Sequence, residues 1–220
     1  MCVPSTPESA PESPPDPVAP PSDRTRVRRL ADRGRYDRAS VEAILDAGFV
    51  AHVGFVGEAG VCVLPMAYAR LGAQVYLHGA TGNAMLRALD GADLCVTVTL
   101  LDGLVLSRSA FHHSMNYRSV VVFGRGTTVT DPAEKDRALA AIVEQMVTGR
   151  SAQCRPPTAE ELRGTRVVRL PIAEASAKVR TGPPKEDPED LDPVVYWGGV
   201  VPVTTVLGDP VPDAFVVPGA

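Results

Sequence analysis

Residues 76–124 read YLHGATGNAMLRALDGADLCVTVTLLDGLVLSRSAFHHSMNYRSVVVFG, and this stretch decides the architecture. From Asp93 to Leu101 the residues alternate. Cys95, Thr97 and Thr99 share one face and Val96, Val98 and Leu100 the other, which is the period-two pattern of a half-buried strand. Leu104 to Ser109 and Arg118 to Thr130 add further strand-forming runs. Before them, Gln74 to His78 is a short strand, and Thr81 or Asn83 stands where it can cap a helix running to about Leu89.

Upstream, Phe49 to Val56, the turn Gly57 to Gly60, Val61 to Leu71 and the Gly72-Ala73 turn make a β-meander that leads into Gln74. Ser40 is placed to cap a short helix through Ala47, with Glu42 in its first turn and Gly48 ending it. Downstream, Asp131 to Val147 is a helix opened by Pro132 and stopped at Gly149, and Thr158 to Glu161 is a capping box. Two strands follow, Arg166 to Ile172 and Ser176 to Arg180, then a charged, proline-rich loop from Pro183 to Pro193. The segment VVYWGGVVPVTTVLGDPVPD from residue 194 is apolar but broken by Gly and Pro, so it suits wrapping a surface rather than a central strand. The sum is a mainly β chain with helices: five to seven short antiparallel strands closing into a small barrel. No internal repeat is evident.

Eight of the 21 prolines lie in residues 1–21, so 1–22 is expected to be a disordered tail and 23–220 a single domain. The net charge of -4 includes three acidic residues in that tail, which leaves the remainder near neutral. Phosphate neutralisation would need a basic face, and only 5% of residues are aromatic, so nucleic acid is disfavoured as a partner. Cys2, Cys62, Cys95 and Cys154 show no CxxC spacing, the N-terminus lacks a signal-peptide pattern, and no apolar run is long enough to span a bilayer. A reduced, cytoplasmic protein without a membrane anchor is expected.

Catalytic signatures are sparse. Gly54-x-x-Gly57-x-x-Gly60 joins two strands and is a hairpin, not a dinucleotide fingerprint, and there is no Walker A, HExxH or GxSxG motif. The adjacent His112 and His113 would point different ways, so no metal site is expected. Singly, Ser107, Ser109, Ser114, Asn116 and Ser119 are polar faces of strands. Together with Arg108, Tyr117, Arg118 and three histidines they suit a pocket for a polar anion.

The segments LPMAYAR (64–70), YLHGA (76–80), CVTVTLLDGLVLSRSAFHHSMNYRSVVVFG (95–124) and YWGGVVPV (196–203) resemble the flavin-nucleotide-binding branch of the pyridoxamine 5'-phosphate oxidase-like superfamily, which also includes nitroimidazole-resistance proteins. The resemblance extends over roughly residues 25 to 213. It implies an FMN-binding split β-barrel, antiparallel and Greek-key-like with peripheral helices, that forms a homodimer with FMN at the interface. The implied activity is that of a flavin-dependent oxidoreductase acting on a small molecule.

Carried onto this sequence, the resemblance puts Pro65, Met66 and Ala67 beside the isoalloxazine, and His78 and Gly79 near the ribityl chain and phosphate. Thr81, Asn83 and Arg87 belong to the helix start at the phosphate, and Asn116, Tyr117, Arg118 and Ser119 line the cleft from a later strand. Tyr117 would stack or hydrogen-bond and Arg118 would neutralise phosphate. His78 is the implied group for proton transfer, because an imidazole titrates near neutrality. One departure stands out: relatives tend to carry Ser-Arg or a lysine where this chain has Asn83-Ala84. Two alternatives share the barrel. In one, haem is held by an axial histidine drawn from His52, His78, His112 and His113. In the other, the protein binds flavin without catalysis.

Overall fold

The computed structural model describes residues 18–58 and 60–215. Most of the expected N-terminal tail therefore lies outside the described residues. What is described of it leads into a single 3-10 turn at Asp23–Thr25, in which Thr25 is buried and its hydroxyl donates to the Ser22 carbonyl.

Among the described residues ten strands, all paired antiparallel, form one curled sheet: β1 (Gly34–Arg35), β2 (Val50–Gly57), β3 (Gly60–Leu71), β4 (Gln74–Ala80), β5 (Asp93–Leu106), β6 (Ser114–Arg125), β7 (Thr127–Thr128), β8 (Thr165–Pro171), β9 (Glu174–Arg180) and β10 (Gly199–Pro202). Their order is β1-β9-β6-β5-β2-β3-β4-β8-β7, with β10 on β5. Four α-helices of the described residues accompany them: α1 (Arg38–Ala47), α2 (Ala84–Ala88), α3 (Pro132–Met146) and α4 (Ala159–Gly164). The fold is the expected split barrel with peripheral helices.

Alternation along β5 holds as read. Leu94, Val96 and Val98 are buried, while Cys95, Thr97 and Thr99 face outward. Three boundaries differ. The runs Asp93 to Leu101 and Leu104 to Ser109 are one strand, because a bulge between Leu101 and Gly103 absorbs the irregularity and pairing with β6 resumes beyond it. The later run begins at Ser114, not Arg118. The α1 cap is Asp37, whose side chain accepts from the Ser40 backbone N–H at 2.8 Å, so the helix starts before Ser40.

The core lies inside the curl. Val53, Val96, Val98, Val120, Tyr68, Leu77 and Leu170 meet there, and α1 plugs one end with Val41, Ile44 and Leu45. On the outside, α3 covers β4 and β8 through a second cluster of Tyr76, Val129, Ala138 and Val167. Gln145 of α3 reaches back to α1, its amide nitrogen lying 3.1, 3.0 and 2.7 Å from the carbonyls of Leu45, Asp46 and Gly48. In the apolar segment after residue 194, β10 pairs along the edge of β5. Gly103 allows that approach, since a Cβ there would meet Val200 at 3.0 Å and the Val201 carbonyl at 3.2 Å.

No helix among the described residues is long and apolar enough to cross a membrane.

Candidate functional site

The barrel is split between β3 and β4. Pairing of these strands runs from Leu71↔Gln74 to Tyr68↔Leu77 and stops. Beyond it β4 stays with β8 as far as Ala80↔Thr165, while β3 stays with β2 from Ala67 back to Gly60. One edge of β3 over Gly60–Ala67 is therefore unpaired with β4, and its main-chain donors and acceptors face an opening. Pro65, Met66 and Ala67 lie on that edge, with His78, Gly79 and Thr81 on the departing end of β4 and the turn after it. The strand pairing places these six residues on the two segments that part beyond Tyr68↔Leu77.

At its far end stands α2, only five residues long. Asn83 caps it by accepting from the Met85 N–H at 2.9 Å. A helix this short has little dipole to offer a phosphate, so the helix-start anion site implied by the resemblance is not built here by the helix itself. Arg87 supplies a cation instead. Its side chain folds back and donates to the Gly82 carbonyl at 2.7 Å, which sets the guanidinium beside the turn that precedes the helix. His78 is half-buried; its Nδ1 has no hydrogen-bond partner, and burial holds the imidazole below its ordinary range. An orphaned ring nitrogen, a free strand edge and a folded-back arginine are what a polar planar ligand with an anionic end requires, and in this respect the residues fit a flavin.

Asn116, Tyr117, Arg118 and Ser119 are elsewhere. They lie on β6, and β5 and β2 stand between them and β3 in the sheet. Arg118 is engaged with Asp102 through two hydrogen bonds, Nε to Oδ2 at 2.9 Å and Nη2 to Oδ1 at 2.7 Å. Asn116 is buried, donates to the Gly182 carbonyl at 3.1 Å and accepts from Arg180. Ser119 donates weakly to the Lys178 carbonyl. Within one chain these residues do not line the β3–β4 opening, and Arg118 already has a carboxylate partner.

The histidines part company. His52 faces outward on β2, in a row with Pro65, Thr97 and Val121. His112 pairs through Nε2 with Asp187 at 2.7 Å, and His113 Nδ1 lies 3.1 Å from the Ser109 carbonyl. Asp187 belongs to the loop after β9, whose neighbour Glu186 holds Ser107 at 2.7 Å and Arg108 at 2.9 Å. Reading the sequence missed Asp102, Arg180, Glu186 and Asp187. All four act through contacts distant in sequence, and only the charged character of the 183–193 loop hinted at two of them.

The pyridoxamine 5'-phosphate oxidase family model matches residues 37–179. The chain belongs to this family. No curated protein matches it. Among solved structures it is similar to the flavocytochrome Anf3 from Azotobacter vinelandii, with 42% identity, a TM-score of 0.87, and coverage of 92% of this chain and 94% of that one. The FAD and heme binding protein from Mycobacterium smegmatis is 34% identical with a TM-score of 0.80, covering 85% of this chain and 92% of that one. A putative 5-nitroimidazole antibiotic resistance protein from Bacteroides thetaiotaomicron shares the fold at 23% identity and a TM-score of 0.55, covering 66% of this chain and 86% of that one. The family match ends at Val179, so the loop carrying Glu186 and Asp187, and β10 with it, lie beyond the pyridoxamine 5'-phosphate oxidase portion.

Proposed function

We propose that this member of the pyridoxamine 5'-phosphate oxidase family is a redox protein that binds a flavin and a haem, with the flavin between two copies of the barrel. The observation that carries the reading is likeness over nearly the whole chain to a flavocytochrome and to an FAD and heme binding protein. The two groups together would supply electron transfer, hydride chemistry at the flavin and one-electron chemistry at the iron.

This chain's residues have definite tasks in that reading. The free edge of Gly60–Ala67 offers main-chain hydrogen bonds to the polar rim of the flavin. Arg87 balances charge at its phosphate end, and His78 is the group placed to hold or give a proton at Nδ1. Residues Asn116 to Ser119 reach the same flavin only from a second copy, which makes a homodimer part of the proposal. The uncovered outer face, where Val56, Val61 and Val63 are 72%, 82% and 60% exposed, is the surface such a dimer would bury.

For the iron, the geometry favours His113. A hydrogen bond from Nδ1 to the Ser109 carbonyl sets the tautomer that leaves the Nε2 lone pair free, the arrangement a metal-bound imidazole needs. The exposed Phe111, Met115, Tyr196 and Trp197 are the apolar residues available to wall a macrocycle. Phe111 meets the His112 ring edge-on, with centroids 5.1 Å apart.

FAD is the flavin named for the mycobacterial relative. FMN, implied by the sequence resemblance, is the second reading and differs only in lacking the adenylate. A small molecule remains the proposed substrate class. The test is the visible spectrum of the purified protein, followed by chromatography of the released cofactors. Flavin bands with a Soret band support the reading, and loss of the Soret band alone in His113→Ala supports the ligand. Flavin without haem returns the protein to an FMN- or FAD-dependent oxidoreductase, and a colourless protein that takes up neither group overturns the proposal.

A further inference from the structure

A second polar pocket lies apart from the β3–β4 opening, at the edge of the sheet where β1 pairs with β9. Its volume is about 380 Å3, and Arg33, Arg35, Arg180 and Lys185 line it together with one carboxylate, Asp32. The cations arrive from separate segments. Arg33 ends a 3-10 turn, Arg35 lies on β1 opposite Ala177, Arg180 is the last residue of β9, and Lys185 is on the loop that follows.

No carboxylate pairs with any of the four among the described residues. Arg35 donates to the carbonyls of Asp32 and Gly34 at 2.7 and 2.8 Å. Arg180, only 8% exposed, donates to Asn116 and to the carbonyls of Gly182 and Pro183, all neutral acceptors, and its Nε is buried with no partner. Burial, and after it the nearby Arg33 charge, pull the Arg180 guanidinium below its ordinary range. A buried cation facing other cations is costly unless an anion joins them. Here the fold holds several donors around a space with nothing negative but Asp32.

We propose that this pocket binds a phosphate-class oxyanion, a pyrophosphate or the diphosphate of a nucleotide. Three guanidinium groups and an ammonium match several terminal oxygens of a diphosphate at once, whereas a single carboxylate would leave most of these donors unanswered. The space admits a diphosphate and not a whole dinucleotide. Within one chain none of its residues lines the β3–β4 opening, and only the outcome in which a resident flavin's diphosphate fills the pocket rests on the flavin reading.

The test is calorimetric titration of inorganic pyrophosphate into the protein as purified, at low ionic strength, beside Arg33→Gln/Lys185→Gln. Neither of those side chains makes a hydrogen bond or ion pair among the described residues, so the double variant should keep its melting temperature. Binding that weakens about tenfold or more in the variant supports the site and marks the diphosphate as a separate ligand. If the purified protein takes up none but the variant sheds its flavin on dialysis, the site is likewise supported and the resident flavin's own diphosphate occupies it. Pyrophosphate binding equal in both proteins, or no binding together with full flavin retention in the variant, overturns the proposal.

Discussion

Arg118 and Asp102 meet across the β5–β6 pair with both carboxylate oxygens engaged, at 2.7 and 2.9 Å. Asp102 sits within the β5 bulge, so the irregularity that interrupts the ladder also delivers the carboxylate to the arginine. Hydrogen bonding to Asp102 raises the guanidinium further above its already high range. Arg118→Ala is accordingly expected to weaken riboflavin and the phosphate-bearing flavins to the same degree in fluorescence titrations. The arginine side chain is 43% exposed, so solvent screening limits the stability loss to about 1 kcal/mol or less. A selective loss of FMN or FAD would mean that Arg118 leaves Asp102 to meet the phosphate.

His78 makes folding stability depend on pH. The unfolded imidazole takes a proton near pH 6.5, whereas burial delays this to lower pH in the folded chain. Above that range both states are neutral and the group contributes nothing. As the pH falls below about 6.5 the unfolded state alone is protonated, and stability declines until the folded histidine titrates too. Melting temperatures from pH 8 to pH 5 should fall less steeply for His78→Gln than for the natural chain. Parallel curves would place the histidine in water.

Gln145 ties α3 to the end of α1 through three carbonyls. Replacing it by Leu leaves those acceptors without their shared donor and is expected to cost about 1 to 3 kcal/mol in denaturant unfolding. No change in the unfolding midpoint would show that water replaces the amide without cost.

Val63 points outward, away from the core, so Val63→Lys should fold as the natural chain does. Sedimentation should then show a dimer for the natural protein at micromolar concentration and a monomer for the variant. A natural chain that is already monomeric, or a variant that stays dimeric, removes the outer β2–β3 face from the interface.

The strands and the family were legible because alternation and motif are local. Thr97 and Val98 differ in kind, so the sheet face each occupies could be read from their order. Asp37 and Ser40 are both good helix caps three residues apart, and only the chain's path decides between them. Asp102-Gly103 interrupts the strand formers and reads as a break between two strands, whereas it is a bulge that carries the carboxylate to Arg118, which is why Arg118 seemed free to meet a phosphate. The Arg33, Arg35 and Arg180 cluster was invisible for a related reason. It exists only because β1 pairs with β9, and a two-residue strand carries too little pattern to announce a partner that far along the chain.

The pairing of β10 with the far half of β5 bears on how the protein is made. Gly199 stands opposite Leu106 and Pro202 opposite Gly103, so that half of β5 has no strand beside it on that edge until residues 199–202, almost a hundred positions later, have been made. During synthesis the nascent barrel carries an open, apolar edge at Leu104 and Leu106, the kind of surface that recruits strands from other molecules. Yield of soluble protein should therefore respond to chaperone supply and to growth temperature more sharply than the stability of the finished molecule does.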